Sequence, residues 1–162
     1  MIMNLLKYKT VLKLILIFSV FSILFAFYVE YILGHKPCNL CLLQRLPYFI
    51  TIILITLVII FKNLERLSFL LLSFIFLIGS LLSFYHVGIE HGFISESFVC
   101  GNNIDTSITD KNEIMKQLKN KAISCKDVTF AIFGISLATI NTFISALLAT
   151  ITLLIFIKYE KK

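Results

Sequence analysis

Four cysteines are the residues of this chain best suited to chemistry: Cys38 and Cys41 two residues apart, then Cys100 and Cys125 in a later polar stretch. Cys38-Asn39-Leu40-Cys41 follows Pro37. Two intervening residues let the sulfurs reach bonding distance in a tight turn, and such small rings are usually reactive rather than structural. If a helix begins here, its unpaired N–H groups and positive dipole end favour a thiolate at Cys41, as does Arg45 four residues on. Arg45 also fits a plainer role as an interfacial anchor, since its charge can snorkel to water. Cys100 and Cys125, taken as a pair, close a loop of about 25 residues, where a static bridge is worth roughly 3 kcal/mol. Beside a CxxC, the same pair makes a two-stage relay. Four thiolates on zinc need a second compact half, which this chain lacks, so no metal is expected.

The elements that must position these cysteines are membrane helices. The chain has 162 residues, 59% hydrophobic and only 15% charged, with mean hydropathy +0.95. A spanning helix needs about 20 mostly apolar residues. Four segments qualify, at residues 14–33, 42–61, 67–89 and about 130–157, which predicts an all-α membrane protein, a single-domain four-helix bundle with external loops at about 34–41 and 90–127. The first stretch is longer than a signal-peptide core and lacks an Ala-x-Ala cleavage site, so it is expected to stay attached. A net charge of +6 does not point to nucleic acid, because the basic residues flank apolar stretches instead of forming a patch with aromatics.

Charge sorts the loops. The termini and the 62–66 turn carry Lys7, Lys9, Lys13, Lys62, Arg66, Lys158, Lys161 and Lys162 against Glu65 and Glu160. The positive-inside rule makes that face cytoplasmic and puts both termini there. The opposite face holds all four cysteines, and in its long loop five lysines are outnumbered by six acidic residues. An even set of outward cysteines suits an oxidising compartment, either as redox pairs or as staples of the external loops.

Other residues are open to two readings. His86 and His91, with Glu90 between them at the end of the third span, are candidate acid-base groups beside a cofactor or ordinary boundary residues. Glu30 is a weaker candidate. Gly134, Ala138, Ser145 and Ala149 form a small-residue stripe for close packing, with Asn141 as an interhelical hydrogen bonder. Pro47 either marks the first turn of the second helix or kinks it. Thr109 is placed to cap a surface helix over 110–120, or that stretch is a polar loop.

The chain resembles the disulfide bond formation protein B family, bacterial inner-membrane enzymes. The resemblance rests on Pro37-Cys38-Asn39-Leu40-Cys41 with Gln44-Arg45, on Tyr85-His86 with Gly88 and Glu90, on Cys100 and Cys125, and more weakly on Gly134 and Asn141. It implies a disulfide oxidoreductase with its cysteines on the periplasmic side. Its partner would be a soluble periplasmic thioredoxin-fold thiol oxidase, and its electron acceptor a membrane quinone, ubiquinone or menaquinone. Cys100 would be attacked by the partner, Cys125 would exchange with Cys38, Cys41 would lie next to the quinone ring, and Arg45 would hold a quinone oxygen, with His91 a further candidate contact. A monomer is expected. Phe93 stands where many members carry Trp, which touches only anchoring at the interface. Two alternatives compete. A four-span scaffold with structural bridges of tetraspanin style would need a Cys-Cys-Gly signature, but Val99 precedes Cys100-Gly101. A vitamin K epoxide reductase-like enzyme would carry its loop pair before the CxxC, and here it follows.

Overall fold

The computed structural model describes residues 2–61, 65–95, 100, 124–126, 130–132 and 134–160. Helix α1 runs over Ile2–Phe27 and ends in a π-helical turn, Tyr28–Ile32. Gly34, at φ +74°, then lets the chain leave that turn toward the CxxC. A short α2 (Asn39–Leu43) is followed by α3 (Leu46–Ile60), and α4 spans Glu65–Glu90. Strands β1 (Ala131–Ile132) and β2 (Ile135–Ser136) pair antiparallel, and α5 covers Leu137–Glu160. Four helical stretches of 22 to 26 residues are long and apolar enough to cross a membrane, so this is a multi-pass membrane protein.

Two boundaries depart from the sequence expectation. The second span is broken, because Arg45 N–H bonds back only three residues to the Leu42 carbonyl and Pro47 brings no N–H to the ladder. Pro47 therefore sits in the first turn of α3, where a missing donor costs little. The fourth helix starts at Leu137 rather than near residue 130, because the apolar run before it is the small hairpin, with Gly134 in its turn at φ +81°. Gly134 thus lies outside the helical small-residue stripe. The suggested helix over 110–120 lies outside the described residues.

Helix α4 is the central element, in contact with α3 and α5, while α1 lies against α3. Its buried side chains fall at Phe69, Leu72, Phe76, Gly79, Ser83 and His86, one stripe at helical spacing. Close approach to α5 uses small residues: Ser73 Oγ donates to the Ala149 carbonyl at 3.1 Å and Ser80 Oγ to the Thr142 carbonyl at 3.3 Å. A Cβ on Gly79 would stand 3.2 Å from Pro47 Cγ, so this glycine lets α3 seat its proline against α4. Phe21, Ile53, Ile78 and Leu147 point outward, as side chains facing hydrocarbon can. At the end bearing the basic residues, Lys9 pairs with Glu65 at 3.6 Å and Arg66 lies over Phe156.

Candidate functional site

The cysteines gather at the opposite end of the bundle. Cys38 caps the N-terminus of α2, its sulfur accepting from Cys41 N–H at 3.4 Å, because Asn39–Leu43 turns helical immediately after it. The two sulfurs are free and 3.1 Å apart. Cys100 and Cys125 form a disulfide with Cα atoms 5.4 Å apart. Cys38, Cys100 and Cys125 are buried together with Leu40 and Ile89, and Cys41, Leu43 and Tyr85 pack against them. The loop disulfide therefore lies on the CxxC.

His86 stands in the middle of this cluster. Its position on the buried stripe of α4 brings Nε2 to 3.6 Å from Cys38 Sγ and 3.8 Å from Glu90 Oε1, while Nδ1 is 2.9 Å from Gln44 Nε2. The backbone of Cys125 faces the same ring. Gln44 continues the network: its Oε1 accepts from Asn141 Nδ2 at 3.3 Å, Asn141 Nδ2 also donates to Ser83 Oγ, and Asn141 Oδ1 accepts from Tyr48 Oη at 2.5 Å. Polar groups at this depth have few alternatives to one another, which is why they form a connected set. Glu90 is held by Ser136 Oγ of the hairpin at 2.5 Å, so β2 and α4 meet over the site.

The contacts that favour a thiolate fall on Cys38, not Cys41. Hydrogen-bond contact with the Cys41 sulfur, then with His86, and the Cys41 N–H together outweigh burial and pull the Cys38 pKa down to about 4. The sequence expectation placed the favoured thiolate at Cys41 by treating residues 41–45 as one helix. In the structure the free N–H at the start of α2 meets the Cys38 sulfur, and the imidazole stands beside it.

Arg45 instead reaches α1. Its Nη1 donates to Glu30 Oε2 at 2.6 Å, and the guanidinium lies 5.3 Å from the centre of the Phe27 ring. The π-helical turn carries Glu30 to this position. A carboxylate within an apolar span needs a partner, and the basic residue flanking the next span was the available signal for this pair. His91 is not brought to the cluster. The chain after α4 folds back, Ile94 N–H bonding to the Gly88 carbonyl, and leaves His91 exposed beside Phe93.

A cavity of about 290 Å³ opens beside the CxxC, between α1, α3 and α5. Phe18, Phe25 and Ile144 give it apolar walls, and Cys41, Arg45, Gln44 and His86 stand at its polar end. Such a slot suits a flat molecule with an apolar body and a few hydrogen-bond acceptors.

The family model described as Disulfide bond formation protein DsbB matches residues 8–155. Among similar proteins is the uncharacterized protein RP370 of Rickettsia prowazekii (strain Madrid E), 29% identical over 153 residues, which cover 93% of this chain and 86% of the relative. No solved structure matches. The family match reaches into all four spanning helices and includes the CxxC, the loop disulfide and His86: this chain belongs to the DsbB family of disulfide-bond-forming membrane oxidoreductases.

Proposed function

We propose that the chain reoxidises a soluble extracytoplasmic thioredoxin-fold thiol oxidase and passes the electrons to a membrane quinone. The observation that carries this reading is the packing of the Cys100–Cys125 disulfide on the Cys38–Cys41 pair at the edge of a cavity lined by the spanning helices. One pair can meet an aqueous dithiol and the other a lipid-soluble acceptor.

The steps balance as disulfide exchange. The partner's dithiol is oxidised as the Cys100–Cys125 bond is reduced: one partner thiolate attacks Cys100 and releases Cys125, and the second resolves the mixed disulfide and releases Cys100. The loop dithiol then regains its bond by reducing a Cys38–Cys41 disulfide, with Cys125 attacking Cys38. Cys100 and Cys125 are each 1% exposed, so reaction with a soluble partner requires them to become accessible.

The cavity fits a quinone headgroup by its apolar walls and the donors at one end, with Arg45, Gln44 and His86 as the residues that would hold it. When bound, a quinone supplies a two-electron, two-proton acceptor. Around it, Glu30 orients the Arg45 guanidinium through Nη1 and leaves its other N–H groups for an acceptor oxygen. His86 Nε2 lies between Cys38 Sγ and the Glu90 carboxylate, a position from which it can take the proton that the pair must shed on becoming a disulfide. On this reading both termini lie in the cytoplasm and the cysteines on the periplasmic side of the bacterial inner membrane, which the basic residues flanking the spans support.

The test is reconstitution of the full chain in lipid nanodiscs with a reduced thioredoxin-fold oxidase and a soluble quinone analogue. Stoichiometric quinol formation, abolished by Cys41→Ser, is the expected result. A chain that stays oxidised at all four cysteines and consumes no quinone overturns the proposal.

A further inference from the structure

The buried Cys38, Cys41 and His86 side chains offer three metal-ligand atoms within 4.8 Å of one another. We propose that, when the CxxC is reduced, these residues form a zinc site that holds the enzyme in its dithiol state. The geometry points to this ion. Zinc takes sulfur at about 2.3 Å and imidazole nitrogen at about 2.0–2.1 Å, so a tetrahedral site spaces sulfur from nitrogen by about 3.6 Å and sulfur from sulfur by about 3.8 Å. Cys38 Sγ and His86 Nε2 already stand 3.6 Å apart, and the two sulfurs, at 3.1 Å, need only a small outward rotation. The arrangement is a three-ligand site with its fourth position open to water.

Charge selects a divalent ion. Coordination takes both sulfurs as thiolates, releasing whatever protons they carry, and two thiolates with Zn²⁺ make a neutral group, which burial favours. A monovalent ion would leave a net negative charge there. Metal on Nε2 puts the ring proton on Nδ1, 2.9 Å from the Gln44 amide, which must then turn its carbonyl oxygen to that proton and give up the bond it accepts from Asn141 Nδ2. No electrons move, so the cation blocks reoxidation by occupying both sulfurs and is removable by a chelator. Oxidation of the pair destroys two of the three ligands, which makes the site dependent on redox state.

The proposal rests on the pair being reducible, which a chemical reductant supplies, so its test uses neither quinone nor partner protein. The full chain with Cys100→Ser and Cys125→Ser, in nanodiscs, is reduced and freed of reductant, then titrated with Zn²⁺ against a chromophoric chelator. One equivalent should bind and protect Cys38 and Cys41 from alkylation, and the same protein oxidised at the CxxC should bind none. His86→Ala should weaken binding at least about tenfold, the lower end of what even an outer contact to a metal ligand contributes. X-ray absorption of the zinc form of the unsubstituted, reduced chain should show two sulfurs and one imidazole, a reading that stands even if His86→Ala does not fold. Equal binding by the oxidised protein, unchanged affinity in a folded His86→Ala variant, or a zinc spectrum without that sulfur and imidazole set overturns the proposal. Absence of zinc binding leaves the electron relay standing, and absence of quinone turnover leaves the zinc site standing.

Discussion

Arg45 is the residue whose replacement best separates the two halves of the proposed reaction. Its Nη1 is committed to Glu30 at 2.6 Å, and the side chain is only 14% exposed. The remaining N–H groups are those that would meet an acceptor oxygen in the cavity. A hydrogen bond to a charged group is worth about 1.5–3 kcal/mol. At about 1.4 kcal/mol per tenfold, losing that bond in Arg45→Ala should raise the apparent KM for quinone roughly 10- to 150-fold. Arg45→Lys keeps a charge for Glu30 but lacks the planar fork, so it should retain protein stability while recovering only part of the quinone affinity. Exchange between the thioredoxin-fold partner and Cys100–Cys125 should stay near its unsubstituted rate in both variants. The assay is quinol formation in nanodiscs with protein abundance matched, alongside stopped-flow exchange without quinone. Unsubstituted quinone KM in both variants refutes the assignment. Equal loss of both half-reactions, rescued fully by Lys, refutes it in favour of an anchor at the membrane interface.

Further outcomes follow from other contacts. With its pKa drawn down to about 4, Cys38 is a thiolate above that pH and gains its proton as pH falls through it. Iodoacetamide labelling of Cys38 in reduced Cys100→Ser, Cys125→Ser protein should therefore be nearly flat from about pH 5 to about pH 8, where an ordinary thiol gains about tenfold per unit. A labelling profile with its midpoint near 8.5 contradicts the stabilised Cys38 thiolate. Cys125→Ser should accumulate a mixed disulfide between Cys100 and the partner, visible on non-reducing gels, and recovery of no adduct counts against the order of exchange. Glu30→Gln leaves the Arg45 charge without its carboxylate, and breaking a buried pair costs about 3 kcal/mol or more, less here because both groups keep some exposure. A lowered midpoint of unfolding in a denaturing-detergent titration is the expected reading. Reporter fusions should be cytoplasmic at Lys162 and external within 106–109, and external activity at Lys162 would overturn the orientation.

The spans and the cysteine pairs were legible because both are strong one-dimensional signals: long apolar runs and a fixed two-residue spacing. The boundaries were weaker where an apolar segment does something other than span. The hairpin from Ala131 to Ser136 is as apolar as the helix it precedes, and only Gly134, with its positive φ, marks it as a turn. Likewise Pro47 announced a helix start, but the tightening at Arg45 that splits α2 from α3 depends on backbone hydrogen bonds that composition does not encode.

The choice between two histidines shows what more the sequence could have yielded. His86 continues the spacing of Phe76, Gly79 and Ser83 along the buried face of α4, whereas His91 lies past the helix end, next to a glycine. Extending that helical stripe to its last turn selects His86 as the ring that meets Cys38. Glu30 and Arg45 could have been matched in the same way, since a carboxylate in one span and a guanidinium at the start of the next are each costly without the other. What no spacing rule supplies is the packing of the loop disulfide onto Cys38 and the transfer of the thiolate-favouring contacts from Cys41 to Cys38. Both arise from tertiary packing, the loop disulfide against Cys38 and the α4 imidazole beside its sulfur. With residues 41–45 in one continuous helix, Arg45 would share a face with Cys41, four residues away. In the structure Arg45 pairs with Glu30 of α1, while Cys38, as the N-cap of α2, takes the Cys41 N–H and faces the imidazole. The Cys38 sulfur meets both the loop disulfide and the cavity, which is where an exchange partner common to both pairs has to stand.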